Sequence, residues 1–236
     1  MSSDPLVLMA EVDRATERLL RTADTLDGTG TLNEPSLLPG WTRGHVLTHL
    51  ARNADGLTNL LTWARTGEVT PQYPSWERRN ADIEAGADRP VPVVLADLSD
   101  ACARFAAAAE EMPAEAWTVQ LDLSGGPQPA ARVVWRRLRE VEVHHVDLAA
   151  GYGTADWPDS FSHRLLHEVV RGLSDFDVVV HATDLGHPLT VGASSSGAPT
   201  VTGPAHALAG WLTGRTSGSE LTVSPPGPLP VPPQWI

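Results

Sequence analysis

The sequence predicts a helical bundle followed by a smaller α+β domain, which we place at residues 1–153 and 154–236. Three observations support this fold class. Apolar residues recur at steps of three and four up to about residue 151, and this spacing is typical of amphipathic helices. Beyond Trp157, short β-branched runs alternate with glycine and proline, as in short strands. A length of 236 residues suits one or two domains.

Four long helices and one short helix are expected in the first domain, which together predict a bundle. Asp4 can cap the first helix, and Thr42 can cap the second, which Gly67 ends. The apolar stripe of the first helix is predicted at Leu6, Met9, Val12, Ala15, Leu19 and Ala23. The predicted helices cover residues 5–26, 42–66, 75–85, 92–111 and 130–150, and a Gly- and Pro-rich turn is predicted at 125–129.

The second domain is predicted to mix two helices with four short strands. The helices are expected at residues 161–173 and 204–212, where the sequence is apolar and rich in helix formers. Strands are expected at 177–182, 189–191, 200–202 and 221–223. The tail from Pro225 onward contains six prolines, so it is predicted to run extended along a surface.

The amino-acid composition narrows the range of expected binding partners. The formal net charge is −12 and every basic residue is arginine, so neither nucleic acid nor an anionic membrane is an expected partner. A small anionic substrate remains possible where a local arginine or a metal can hold it. No apolar run is long enough to span a membrane. The single cysteine, Cys102, excludes an internal disulfide, is expected in the core, and fits a reducing cytoplasm. The oligomeric state stays open, and a monomer is compatible with the sequence.

Two helices carry residue pairs with the spacing of metal ligands. Glu140 and His144 lie four residues apart on the predicted last helix, so both side chains lie on one helix face. His45 and His49 have the same spacing on the second helix. Bundles build metal sites from inward side chains of facing helices, and two histidines with one glutamate form a known catalytic zinc set.

The same residues also have a simpler interpretation. A glutamate and a histidine at this spacing often form a pair on the surface, or a buried pair whose hydrogen bonds are satisfied. We expect His45 and His145 to be hydrogen-bonding partners or surface groups, and Asp147 either orients a ligand histidine or supports its helix. No ligand role is expected for the histidines of the second domain, which are His163, His167, His181, His187 and His206.

Several segments match one known family. Residues 37–51 read LLPGWTRGHVLTHLA, and residues 139–148 read REVEVHHVDL. Together with residues 79–84, residues 214–218 and the Pro-rich ending before Trp235, they resemble the mycothiol-dependent maleylpyruvate isomerase family. This family belongs to the DinB-like metal-binding helix bundles, and the resemblance covers nearly the whole chain.

The resemblance implies a DinB-like four-helix bundle with a smaller C-terminal α+β domain. It implies that His49, Glu140 and His144 hold one divalent metal ion, zinc or another. It also implies that Arg79 and Arg215 are the functional arginines. The small thiol mycothiol would be a cosubstrate that is returned unchanged.

The implied activity is a cis–trans isomerisation of maleylpyruvate to fumarylpyruvate, as in gentisate degradation. A double bond does not rotate freely, but a thiolate that adds to it leaves a single bond that does. A free thiol is mostly protonated at neutral pH, and a metal can hold it as thiolate. One alternative is a mycothiol S-transferase that leaves a stable conjugate on an electrophile. Another is a non-catalytic, regulatory metal-binding bundle with a protein partner.

Overall fold

The chain folds as two compact units, Met1–Gly151 and Tyr152–Ile236. The structure is a computed structural model that describes residues 4–26, 31–123, 125–174, 176–192 and 197–235. The first unit is mainly helical, and the second combines two helices with a small sheet. The fold class predicted from the sequence is therefore confirmed.

Four long helices and one short helix form the first unit. Helix α2 packs against α3, α4 and α5, and α1 packs against α4 and α5. Their order along the chain is α1 (Pro5–Asp24), α2 (Arg43–Thr66), α3 (Trp76–Ala87), α4 (Val91–Glu110) and α5 (Arg132–Asp147).

The predicted helix caps are present. The Asp4 side chain accepts a hydrogen bond from the backbone of Leu6, and the Thr42 side chain accepts one from the backbone of His45. Gly67 ends α2 with a φ of 77°, which glycine adopts without the strain that a Cβ brings. The side chains of Asp4 and Thr42 thus accept hydrogen bonds from backbone N–H groups that a helix start leaves without partners.

Several details differ from the sequence prediction. Leu6 is 68% exposed, and Leu8, at 2% exposure, takes its place on the buried face of α1. Helix α3 extends to Ala87 instead of residue 85. Helix α5 ends at Asp147 instead of residue 150, because Ala149 has a φ of 51° and leaves the helical region.

A short hairpin replaces the simple turn predicted at residues 125–129. Strands β1 (Gln120–Leu123) and β2 (Gly126–Pro129) pair antiparallel. Glycine and proline disfavour strands in general, so the composition of β2 predicted a turn alone. The buried side chains of Leu121 and Leu123 anchor the hairpin on the bundle.

The second unit contains a four-stranded sheet with the strand order β4-β3-β5-β6. Strands β3 and β5 run parallel, with Val180 opposite Val201, and the two outer pairs are antiparallel. All four predicted strands and both predicted helices are present. Their bounds are α6 (Asp159–Gly172), β3 (Val178–Ala182), β4 (Leu189–Val191), β5 (Thr200–Gly203), α7 (Ala205–Leu212) and β6 (Thr222–Ser224).

Membrane insertion would require a long apolar helix. Among the residues that the structure describes, no helix combines the length and apolarity that crossing a bilayer demands.

Candidate metal centre

Helices α2 and α5 bring His49, Glu140 and His144 together. One possible ligand atom of each lies within 4.8 Å of the others, and no other such group occurs among the described residues. The Nε2 atom of His49 is 3.0 Å from Glu140 Oε2, and the Nε2 atom of His144 is 3.5 Å from the same oxygen. The three side chains singled out in the sequence thus form one cluster.

A buried arginine fixes the two helices beside this cluster. Arg137, one turn before Glu140, donates hydrogen bonds to the Leu50 carbonyl oxygen at 2.9 Å and to Asn53 Oδ1 at 3.0 Å, both on α2. Its Nη2 lies 3.1 Å from Cys102 Sγ on α4, and Cys102 is buried in the core as predicted. The guanidinium therefore ties α5 to α2 and α4 one turn away from the candidate ligands.

Neighbouring side chains set the orientation of both imidazoles. The Nδ1–H of His144 donates to Asp147 Oδ2 at 2.8 Å, which turns Nε2 toward the cluster. The His49 ring meets the His144 ring edge to face, with 4.6 Å between centroids. His49 also packs against the Trp41 ring, with 5.5 Å between centroids.

Burial and hydrogen bonds set the charges of the cluster. Burial lowers the pKa of His49 to about 4, so this imidazole is neutral at pH 7. Burial also opposes charge on His144, but its hydrogen bonds to Asp147 and Glu140 prevail and raise its pKa. Burial alone would raise the pKa of Glu140, yet hydrogen bonds with His144 and His49 hold it well below its usual range. Glu140 is therefore a carboxylate at neutral pH.

The donor set fits one divalent metal ion. Ligand atoms about 2.1 Å from a tetrahedral zinc ion lie roughly 3.4 Å from one another. The separations of 3.0 Å and 3.5 Å around Glu140 Oε2 bracket that value. Two imidazoles and one carboxylate suit zinc and several other divalent ions, and three protein ligands leave a tetrahedral position for a further ligand.

Arg79 reaches the cluster from α3. Its Nη2 donates to His49 Nδ1 at 3.0 Å, and its Nη1 donates to Asn80 Oδ1 at 2.9 Å. The preceding residue, Arg78, instead forms an exposed ion pair with Asp82. Arg79 is thus the arginine of this charged run that is placed beside the candidate ligands.

Arg215 belongs to the second unit, in the turn after α7. Its Nη1 donates to the Thr213 carbonyl oxygen at 2.7 Å, and its Cζ lies 5.5 Å from the ring centroid of Trp235. The Pro-rich tail therefore places Trp235 against this guanidinium. The sequence did not reveal this contact.

Two aromatic residues at the cluster received no functional assignment from the sequence. Tyr73 precedes α3 and Trp76 is its first residue, and their ring centroids are 5.6 Å apart. Burial raises the pKa of Tyr73, so its phenol is neutral at physiological pH. Trp76 is 63% exposed, unlike the buried Trp135 and Trp211. Their closeness to Arg79 in the sequence was the sole available signal.

The other histidines lie outside the cluster. His45 accepts a hydrogen bond from the Thr42 backbone at 3.2 Å and contacts Glu84, so it serves the start of α2. His145 is buried, with its Nε2 at 2.7 Å from Thr22 Oγ1. In the second unit, His163 contacts Asp184 at 3.1 Å, and the rings of His167 and His187 lie 5.7 Å apart.

A helical bundle with a two-histidine, one-carboxylate cluster, joined to an α+β unit, defines a class of candidate metal-dependent enzymes. Comparison with family models identifies the family within that class. The model described as the mycothiol maleylpyruvate isomerase N-terminal domain matches residues 12–149, and the MDMPI C-terminal domain matches residues 145–234. The chain belongs to the mycothiol maleylpyruvate isomerase family.

Two solved structures resemble the whole chain. One is described as the mycothiol-dependent maleylpyruvate isomerase, with 29% identity and a TM-score of 0.91 over 98% of this chain and 97% of that one. The other is a histidine-to-alanine mutant of such an isomerase, with 29% identity, the same coverage and a TM-score of 0.89. A search of curated proteins found no match.

Proposed function

We propose that this protein is a metal-dependent, mycothiol-dependent isomerase that converts maleylpyruvate to fumarylpyruvate. The observation that carries the proposal is the convergence of His49, Glu140 and His144 within 4.8 Å in a chain of this family. Both similar structures are described as isomerases, which favours isomerisation over the transfer reaction considered from the sequence. A role in gentisate degradation and an actinobacterial source follow as part of the same proposal.

His49, Glu140 and His144 are the proposed ligands of one divalent ion, with zinc as our first choice. When bound, such an ion supplies a Lewis-acidic position that favours the thiolate form of a thiol at neutral pH. The His49 imidazole is neutral and Glu140 is ionised, which are the charge states that metal ligation requires. Asp147 holds His144 with its Nε2 directed at the cluster.

The reaction needs a temporary single bond in place of the alkene. The mycothiol thiolate adds to one alkene carbon, and the electron pair of the double bond moves onto the conjugated carbonyl oxygen as an enolate. Rotation about the new single bond follows. The enolate then re-forms the alkene in the trans geometry and expels the thiolate, so that no atom is gained or lost.

Arginine is the residue type suited to the charges of this substrate. Arg79 is placed to attract the enolate oxygen or a substrate carboxylate, because its guanidinium lies beside His49. Arg215 is proposed to bind a carboxylate through the same bidentate geometry. The partners are thus a small anionic substrate and mycothiol, and the proposal implies a cytoplasmic location, where such a thiol stays reduced.

The decisive assay combines purified protein, zinc, mycothiol and maleylpyruvate. We expect catalytic loss of the substrate's enol absorbance, full recovery of free mycothiol, and fumarylpyruvate as the product in mass spectrometry. A stable thiol conjugate would instead identify a transferase. Tight zinc binding with neither thiol binding in calorimetry nor turnover would identify a non-catalytic bundle and reject the proposal.

A further inference from the structure

The guanidinium of Arg79 lies in a notch between two aromatic rings. Its Cζ is 5.8 Å from the ring centroid of Tyr73 and 5.8 Å from that of Trp76. The two ring centroids are 5.6 Å apart, so the three groups form a nearly equilateral triangle. A guanidinium within about 6 Å of an aromatic ring is attracted by the ring's quadrupole. We call Tyr73 and Trp76 the aromatic clamp.

Each ring of the aromatic clamp has its own support. A Cβ at Gly56 on α2 would lie 2.9 Å from Tyr73 Cε1 and 2.8 Å from the Gln72 carbonyl oxygen. A glycine is therefore needed for the loop carrying Tyr73 to approach α2 this closely. Trp76 is the first residue of α3, directly after Ser75, whose side chain caps the helix. The clamp is thus anchored to two different elements.

The hydrogen bond from Arg79 to His49 cannot hold the guanidinium in an enzyme that carries its metal. A neutral imidazole has one N–H, and ligation through Nε2 requires that the proton be on Nδ1. A protonated Nδ1 no longer accepts a hydrogen bond from Arg79, which itself has only donors. The two rings keep their attraction for the guanidinium in either tautomer of His49.

We infer that Tyr73 and Trp76 are positioning residues that hold the Arg79 guanidinium beside the metal centre for the reacting substrate. The catalytic effect of the clamp rests on the proposed function, whereas the position of the two rings around Arg79 does not. The rings act through Arg79. Their loss should therefore matter only while Arg79 is present.

The first experiment tests the clamp without turnover. In proton–nitrogen NMR of the zinc-loaded protein, the Arg79 Nε–H signal is assigned by its disappearance in Arg79→Lys. We expect a ring-current shift in the wild type that is lost in Tyr73→Leu and in Trp76→Leu and kept in Tyr73→Phe. An unshifted wild-type signal, or one unchanged by both leucine variants, overturns the inference.

The second experiment is a double-mutant cycle on kcat/KM. In the otherwise wild-type protein, Tyr73→Leu should lower kcat/KM about tenfold. Tyr73→Phe, which keeps the ring, should retain most of the wild-type kcat/KM. In an Arg79→Gln background, Tyr73→Leu should have no further effect. An equal loss in both backgrounds shows that Tyr73 acts independently of Arg79 and overturns the inference. The control, Val69→Ala, changes an exposed side chain in the preceding loop and should leave kcat/KM unchanged.

A third variant moves the clamp without removing either ring. Gly56→Ala places a methyl group against Tyr73 and Gln72, and we expect it to reduce both the Arg79 ring-current shift and kcat/KM. Thermal unfolding and zinc content are measured for every variant, so that loss of folding is separated from loss of positioning. An inactive wild type rejects the proposed function, while the NMR spectra still decide whether the clamp exists.

Discussion

Helix α5 carries two pairs of the same residue types on different faces. One pair, Glu140 and His144, meets His49 of α2 in the candidate metal centre. The other pair, Glu142 and His145, faces α1, where Glu142 forms an ion pair with Arg18 and His145 contacts Thr22 Oγ1 at 2.7 Å. We call these the metal face and the α1 face.

The difference between the two faces lies in what the neighbouring helix supplies. Helix α1 contributes a cation and a hydroxyl group, which neutralise Glu142 and hydrogen-bond His145. Helix α2 contributes a further imidazole, which adds a ligand atom instead of a counter-charge. A glutamate and a histidine on one helix are therefore insufficient to define a metal site, because the partner helix decides between a site and a structural pair.

The largest predicted effect comes from removing a ligand of the metal face. His49→Ala should lower the affinity for zinc by roughly 10³-fold or more. All isomerase activity should be lost with the metal. Circular dichroism should show that the bundle remains helical. Zinc content by elemental analysis and zinc titration by calorimetry are the measurements.

The matched control for this variant is His145→Ala on the α1 face. It removes a buried imidazole of equal size, so it should lower the melting temperature while zinc stoichiometry stays at one per chain. A His49→Ala protein that keeps its zinc would remove His49 from the ligand set. A His145→Ala protein that loses zinc would show that the two faces are not separable.

Local sequence patterns were sufficient to predict the elements that carry the cluster. The caps at Asp4 and Thr42 and the four-residue spacing of Glu140 and His144 depend on neighbours along one helix. The meeting of these two with His49 depends on how α2 packs on α5. That packing was expected from bundles in general and from the family resemblance, and not from spacing alone.

Features that depend on distant contacts escaped the sequence analysis. Tyr73 is placed by the contact of its loop with Gly56 on another element, and no local periodicity marks such a contact. Leu6 fits the apolar spacing to Met9 but lies exposed, because Leu8, four residues before Val12, occupies the buried face. The bundle could be predicted, whereas the choice between equivalent apolar residues could not.

The next largest effect is expected from the residue that orients His144. Asp147→Asn keeps the size of the side chain but weakens its hydrogen bond with Nδ1–H, so zinc affinity should fall about 10- to 100-fold. Competition with a chromophoric chelator measures the change. Asp82→Asn, in the exposed ion pair on α3, is the control and should leave affinity unchanged. Equal affinity in both variants would contradict an orienting role.

Zinc affinity should also depend on pH through one group of the metal face. The pKa of His144 is raised, so this imidazole is protonated at pH 6 and must lose a proton before it can ligate. His49, with its pKa of about 4, is already neutral there, and Glu140 is already ionised. Affinity should therefore fall about tenfold for each pH unit below the pKa of His144.

Calorimetry in buffers of different ionisation enthalpy counts the protons released. At pH 6 we expect zinc binding to release up to one proton for each ion bound, and fewer as the pH rises above the pKa of His144. Release of two protons at pH 6 would show that His49 is also charged in the protein without zinc. No release at that pH would mean that His144 is neutral or does not ligate.

The smallest effect is expected on the α1 face, and it should leave zinc binding untouched. Glu142→Gln removes a buried negative charge from its ion pair with Arg18 while keeping the shape of the side chain. Since a buried group that loses its partner costs about 1–3 kcal/mol, the melting temperature should fall by several degrees. Glu140→Gln should show the reverse pattern, with zinc affinity strongly reduced, because Glu140 Oε2 lies beside the imidazoles of His49 and His144. If both variants lost zinc equally, the division of α5 into two independent faces would be wrong, and the Arg18 pair would have to be counted among the groups that support the metal centre.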